Sequence, residues 1–309
     1  MIDVEPRDLG PVVQLVAKPD GWKPEETRYN LNPIYIGGDP NPSIVNHTPR
    51  DLSEPLRAAW LTTEEKRPND FNGLKVAATR IAVIDGVLQT DAVITDYFTA
   101  WGLPKADASK DLFAEHERQV VINRVAAPDA VYETDIPWAV CSHNTLIDRN
   151  GRILMMVRSQ SQGFSAGRIS ATEEEQMEPT LDFSPFVASF RSFHEELNLI
   201  VPPRRVRLLG VALERGAAYP AYSFVAEADE KAEDIIEKWR RARDFNENTA
   251  LFAVEMTVVD EWLNATEITP DIWQDSLLAG DIAHDAKLKF HPTSPWRIGL
   301  VKVYSYLAK

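Results

Sequence analysis

Only one cysteine, Cys141, stands in 309 residues. A disulfide framework and a zinc site built on clustered cysteines are thereby excluded. Basic residues are in deficit: 33 Lys and Arg face 47 Asp and Glu, a net charge of −14. Affinity for nucleic acid comes largely from Lys and Arg neutralising phosphates, so no nucleic-acid partner is expected. An acidic chain can still take a phosphorylated small molecule when a divalent cation bridges the two negative charges. Long apolar runs are missing as well. The longest, such as Ile153–Val157 and Leu208–Leu213, are strand-sized, far below the ~20 residues of a membrane span. No membrane partner is expected. The opening Met1-Ile2-Asp3-Val4-Glu5-Pro6 is acidic and lacks the apolar segment of a secretory signal, so a cytoplasmic location is expected. Gly37-Gly38, Gly163 and Gly167 fit neither the P-loop nor the dinucleotide-binding spacing.

What is present is the balance of a globular protein, with 44% apolar and 26% charged residues. At ~150 residues per domain the length suggests two units. Residues 1–134 are expected to form a smaller α+β extension and 135–309 the main domain. In the first part, short strands are expected at 11–17 and 33–36. Ser53–Arg67 predicts a helix with Ser53 as its N-cap, and further helices are expected at 95–101 and 110–121. Leu74–Ile84 and Val87–Ile94 predict a hairpin, because Asp85-Gly86 separates two apolar runs. In the second part, strands are expected at 138–146, 153–157, 206–213, 219–225 and 251–259. Residues 159–184 read as a polar segment. Helices are expected at 186–199, 228–244, 272–279 and 296–307. This mixture implies an α/β sandwich.

The chemistry-bearing segment is Arg191-Ser192-Phe193-His194-Glu195-Glu196-Leu197-Asn198-Leu199. A helix puts positions 192, 195 and 196 on one face. Carboxylates clustered there repel one another unless a cation neutralises them. Mg²⁺, or Mn²⁺ in its place, takes oxygen ligands and commonly binds one or two carboxylates together with substrate phosphates.

This segment resembles the end of the Nudix hydrolase motif, Gly-x5-Glu-x7-Arg-Glu-U-x-Glu-Glu-x-Gly-U, where U is apolar. Arg191 falls on the motif arginine, Phe193 and Leu199 on apolar positions, and Glu195 and Glu196 on the paired metal-binding glutamates. Ser192 replaces the glutamate after the arginine. Asn198 replaces the glycine, and asparagine tolerates the left-handed conformation of a helix end. The stretch from Gly167 to Arg191 is about ten residues longer than the motif's. Glu173, Glu174, Glu175 or Glu178 is left to supply the missing carboxylate, with Glu175 chosen. Leu209-Gly210-Val211 resembles the strand that follows the motif. The order of Trp60, Phe71-Asn72-Gly73-Leu74-Lys75-Val76 and Ile94-Thr95-Asp96-Tyr97-Phe98 further resembles a branch of UDP-sugar diphosphatases with an N-terminal extension and an altered motif.

The resemblance implies a Nudix-like α/β/α sandwich with a mixed sheet. It implies Mg²⁺- or Mn²⁺-dependent hydrolysis of a nucleoside diphosphate linked to another moiety, with a UDP-sugar as the example. In that role Glu195, Glu196 and Glu175 hold the metal and Arg191 orients the glutamates. The alternative is a catalytically silent fold used for ligand sensing or interaction. The assembly state is left open, a homodimer being one candidate. Outside the motif the bland readings weigh more. His194 is expected at the surface, His143 and Cys141 in the core, and Tyr219 and Tyr222 in packing or turns. Glu214, Glu227 and Glu255 are expected to sit at strand ends. Arg240, Arg241 and Arg243 are expected on a solvated helix.

Overall fold

The computed structural model describes residues 2–3, 7–9, 11–35, 73–97, 100, 130–134, 138–160, 166–214, 219–280, 282–283 and 285–308. The helices expected at 53–67 and 110–121 lie outside these residues, as do Trp60, Phe71, Asn72, Phe98, Gly37, Gly38 and Gly163. Of the helix expected at 95–101, Thr95 and Asp96 belong instead to a strand.

The strands are β1 (Arg7–Asp8), β2 (Val12–Trp22), β3 (Thr27–Tyr35), β4 (Leu74–Ile84), β5 (Val87–Asp96), β6 (Ala130–Glu133), β7 (Cys141–Ile147), β8 (Ile153–Arg158), β9 (Ile169–Ser170), β10 (Glu173–Gln176), β11 (Val206–Glu214), β12 (Pro220–Glu227), β13 (Asn248–Val254) and β14 (Leu277–Gly280). The helices are α1 (Pro185–Leu197), α2 (Ala232–Trp239), α3 (Val259–Asn264), α4 (Pro270–Trp273) and α5 (Ser294–Leu307). None of them is long and apolar enough to cross a membrane.

A large mixed sheet runs β1-β2-β11-β12-β7-β8-β13-β14, with β10 on β7 and β9 on β8. At its centre β12 pairs parallel with β7. A second sheet runs β3-β5-β4-β6. Alternation along β8 makes two layers. Leu154 and Met156 enter one core with α1 and α2, while Ile153, Met155 and Val157 enter the other with α3, α4 and α5. The arrangement is an α/β/α sandwich. The continuous apolar run of β8 is what a strand covered on both faces requires.

The sheets do not divide the chain at residue 134. β2 pairs antiparallel with β11 in the large sheet. The small sheet shares the core under α1, through Val76, Ile81, Leu88 and Tyr132. Backbone bonds tie Val76 to Met177 and Val140, and Trp22 Nε1 donates to the Gly86 carbonyl at 3.0 Å. The β4–β5 hairpin turns as expected, with Asp85 at φ 51° and Gly86 at φ 81°, the positive values a tight hairpin demands. Two other expectations are corrected. Residues 159–184 hold β9 and β10, because Glu173–Gln176 pairs with β7 despite its polarity. The helix expected at 272–279 stops early, and Leu277–Gly280 pairs with β13 as a strand.

Candidate functional site

Local sequence fixes α1 at both ends. Ser184 accepts the Val187 N–H at its start, with Pro185 in the first turn. Asn198 ends it at φ 51°, in the left-handed region its sequence position was expected to tolerate. Phe186, Phe193 and Leu197 are buried against the sheet, each worth about 1.5–3 kcal/mol. That packing turns Ser192 inward onto β7 and β10 and, one turn on, Glu196 inward onto β13.

Strand β10 carries three successive glutamates, and a strand sends neighbours to opposite faces. Glu173 and Glu175 go toward α1, where they interact with Ser192 and Arg191. Glu174 goes to the far side, toward α5.

On the α1 face, Arg191 is the hub. Its guanidinium donates to Asp182 at 3.1 and 2.7 Å, to Glu195 Oε2 at 3.0 Å and to the Gln176 carbonyl at 3.0 Å. Glu175 lies 3.4 Å away as a further ion partner. Arg191 and Glu195 pair across one helical turn, at i and i+4. Asp182 was missed, although its place two residues before the N-cap put it within reach. The second oxygen of Glu195 accepts from Arg243 at 2.5 Å. Both oxygens of Glu195 are therefore held by guanidinium groups. Glu196 is 4% exposed, and its Oε2 accepts from Asn248 at 3.0 Å.

Glu173, not Glu175, reaches Ser192. The Ser192 hydroxyl donates to Glu173 Oε2 at 2.5 Å. Asn144 donates to Ser192 at 3.1 Å and accepts from Ser189 at 2.6 Å. The other oxygen, Glu173 Oε1, is buried without a hydrogen-bond partner. Among the described residues neither Glu173 nor Glu196 forms an ion pair. Burial, then nearby Glu175, pushes the Glu173 carboxyl up to about 8. Glu196 is pushed well above the usual carboxylate range by burial and then by Glu173, Glu247 and Glu175. Glu175 is raised to about 7 by burial, against the pull of Arg191. The strand's period of two was the signal that Glu173 and Glu175 share a face.

On the α5 face the charges are paired. Arg297, fully buried, donates to Glu174 at 2.9 Å and bonds the backbone carbonyls of Asn144, Ala171 and Glu173. Arg158 and His291 stand 3.8 and 3.2 Å from the same carboxylate. Burial alone would raise Glu174, but His291, His143, Arg158 and Arg297 outweigh it and hold the carboxyl below its usual range. His143 is buried as expected, 6.1 Å from the ring of His291. Burial lowers His143 strongly and His291 to about 4.

The remaining candidates take structural places. Glu214 is buried at the end of β11, accepting from Tyr219 at 2.8 Å on the α5 side. Burial raises its carboxyl to about 8. Tyr222 bonds Thr90 at 2.7 Å in the core. Glu227 accepts from Tyr304. His194 and Glu255 are exposed. Cys141 is buried, which pushes its thiol up. Arg240 pairs with Glu237.

Glu173 and Glu196 offer only oxygen and form no ion pair among the described residues, and Glu173 Oε1 is an unused buried donor for a cation. It fits a hard divalent ion in kind. Among the described residues no three His, Cys, Asp or Glu side chains are gathered to cage a metal. Mg²⁺ sites seldom need that, since one or two carboxylates and the substrate's phosphates commonly complete them.

No family model and no curated protein matches the chain. Solved structures overlap it at a distance. A MutT/nudix family protein from Enterococcus faecalis is 12% identical, covering 66% of this chain and 74% of its own, with a TM-score of 0.34. DR0079 from Deinococcus radiodurans is 12% identical over 42% of this chain and 74% of its own, TM-score 0.32. The MutT protein from Methanosarcina mazei Go1 is 14% identical over 41% of this chain and 83% of its own, TM-score 0.28.

Proposed function

We propose that this chain hydrolyses the diphosphate of a nucleoside diphosphate linked to a second moiety, with Mg²⁺ or Mn²⁺, in the cytoplasm. A UDP-sugar cleaved to UMP and sugar 1-phosphate is the first substrate to try. The observation that carries the reading is a buried carboxylate pair without a counter-cation, set beside an arginine hub on the helix that resembles the Nudix motif.

Glu196 and the α1-facing carboxylates of β10 would hold the ion. Bound there, it would neutralise the diphosphate and polarise its phosphoryl oxygens. Arg191 fixes the orientation of Glu195 and Glu175 and, through Asp182, the approach to α1. Asn248 orients Glu196 by its hydrogen bond. Water would supply the oxygen that bonds to phosphorus as the anhydride P–O bond breaks, and its proton leaves to solvent or to the products.

A second reading is favoured by a specific observation. Ser192 stands where the motif has glutamate, and both oxygens of Glu195 are engaged by Arg191 and Arg243. Such a site suits a fold that binds its ligand without cleaving it. Phosphatase-coupled phosphate release from a panel of nucleoside diphosphate derivatives separates the two. Turnover of UDP-glucose that EDTA and Glu196→Gln both remove supports the hydrolase. A folded protein silent across the panel, but stabilised thermally by one of the ligands, supports the binding module.

A further inference from the structure

We propose that Glu173, reaching from β10, supplies the carboxylate that α1 lacks at Ser192, so that Glu173 and Glu196 together form the divalent-cation site. This assignment rests on the reading above and names the strand residue that completes it.

Four observations converge. The Ser192 hydroxyl is 2.5 Å from Glu173 Oε2, so the strand carboxyl occupies the space next to the helix position that is short of one. Glu173 is fully buried and among the described residues its Oε1 has no hydrogen-bond partner, an arrangement that is costly unless something else completes it. Ser192 and Glu196 lie one helical turn apart on the inward face, so a carboxyl resting on Ser192 neighbours Glu196. Finally, Glu175 and Glu195 are already claimed by arginines, at 3.4 and 3.0 Å from Arg191, whereas among the described residues Glu173 and Glu196 receive neutral hydroxyl and amide donors and no ion pair. A serine at 192 is then a requirement rather than a loss. It is small enough to admit the Glu173 carboxyl, and its hydroxyl orients that group. A glutamate in the same place would add a third buried negative charge.

The probe is Mn²⁺ alone, with the full-length chain, read by electron paramagnetic resonance of the free ion and by thermal shift. Wild type is expected to bind Mn²⁺ and to melt higher in its presence than in EDTA. Glu173→Gln keeps the shape and the Ser192 contact and removes only the charge. It is expected to lose Mn²⁺ affinity about tenfold or more, with native near-UV circular dichroism. The exchange variant Glu173→Ser with Ser192→Glu moves the carboxyl from strand to helix. It is expected to recover affinity to within about threefold of wild type. Mn²⁺ binding unchanged in Glu173→Gln would overturn the assignment, and so would a wild-type chain that binds no Mn²⁺ with or without nucleotide. The two proposals fail separately. Metal binding through Glu173 without turnover of any substrate ends the hydrolase reading and leaves the site. Metal-dependent turnover that survives Glu173→Gln ends this assignment and leaves the hydrolase.

Discussion

Glu173 and Glu174 are neighbours in sequence and identical in chemistry, yet they live in opposite electrostatic worlds. Glu174, on the α5 face, is ringed by Arg297, Arg158 and His291. Glu173, on the α1 face, meets a serine hydroxyl and a second carboxylate's field. A buried charge is tolerated when it is paired and hydrogen-bonded, and expensive when it is not. The charges of the α5 face are thus paired within the chain. On the α1 face Glu173 and Glu196 form no ion pair among the described residues, and the proposed cation site rests on that contrast.

The largest effect should come from damaging the complete face. Arg297→Met strands Glu174 and leaves three backbone carbonyls without their donor. A loss of about 3–5 kcal/mol is expected from urea denaturation, with Glu174→Gln in the Arg297→Met background restoring part of it. A smaller loss under the same substitution would mean that Arg158 and His291 suffice for Glu174.

The buried carboxyls and the buried histidines should also respond oppositely to pH in EDTA. Glu173 and Glu175 have folded values near 8 and 7, above their unfolded value of 4.5. The native state therefore binds more protons than the unfolded chain across that interval, and stability falls as pH rises from about 4.5 to about 8. Glu214, also near 8, adds to the same fall. His291 titrates near 4 when folded against 6.5 unfolded, so stability falls as pH drops from about 6.5 to about 4. Glu174, held low, extends that acid loss below about 4.5. A melting-temperature profile with a maximum between these limbs is expected. Mn²⁺ should flatten the share of the alkaline limb that comes from Glu173 and leave the share from Glu214.

Glu173→Gln should sharpen the contrast with a more modest change. In EDTA at pH 8 it is expected to stabilise the protein by about 1 kcal/mol, or about 2 °C in melting temperature. Destabilisation instead would show that the ionised carboxyl is already satisfied. The smallest expected effect lies at the end of α1. Asn198→Gly relieves the left-handed backbone and should raise stability by about 0.5 kcal/mol without altering Mn²⁺ binding.

Much of this arrangement was legible in the sequence where a local rule and a tertiary need agree. Asp85-Gly86 announced its hairpin, Asn198 suited the end of α1, and the apolar run at 153–157 announced a strand. Arg191 and Glu195 stand at the spacing that pairs side chains on a helix. Illegible were the places where tertiary pairing overrode composition. Glu173–Gln176 is the poorest of strand formers by type, and only β7 makes it a strand. Leu277–Gly280 followed a short helical turn and was captured by β13. Which β10 glutamate meets Ser192 was hidden for a related reason. Glu173 and Glu175 both face α1, and only the register of β10 on β7, which sets Glu173 opposite Asn144, decides which one meets Ser192. The membership of β2 in the large sheet was equally hidden, because its partner β11 begins nearly two hundred residues later.

Arg297 has one more consequence, for the order in which the chain can mature. It sits near the end of the sequence, yet it bonds the backbone of β7, the residue after β9 and the start of β10. While a ribosome is still making α5, Glu174 is without its fully buried cation and the sheet without its clasp. Native pairing of β2 with β11 is likewise deferred until most of the chain exists, and such long-range closure is slow. Nascent chains should therefore stay protease-sensitive until residue 297 clears the exit tunnel, and then become resistant in a single late step.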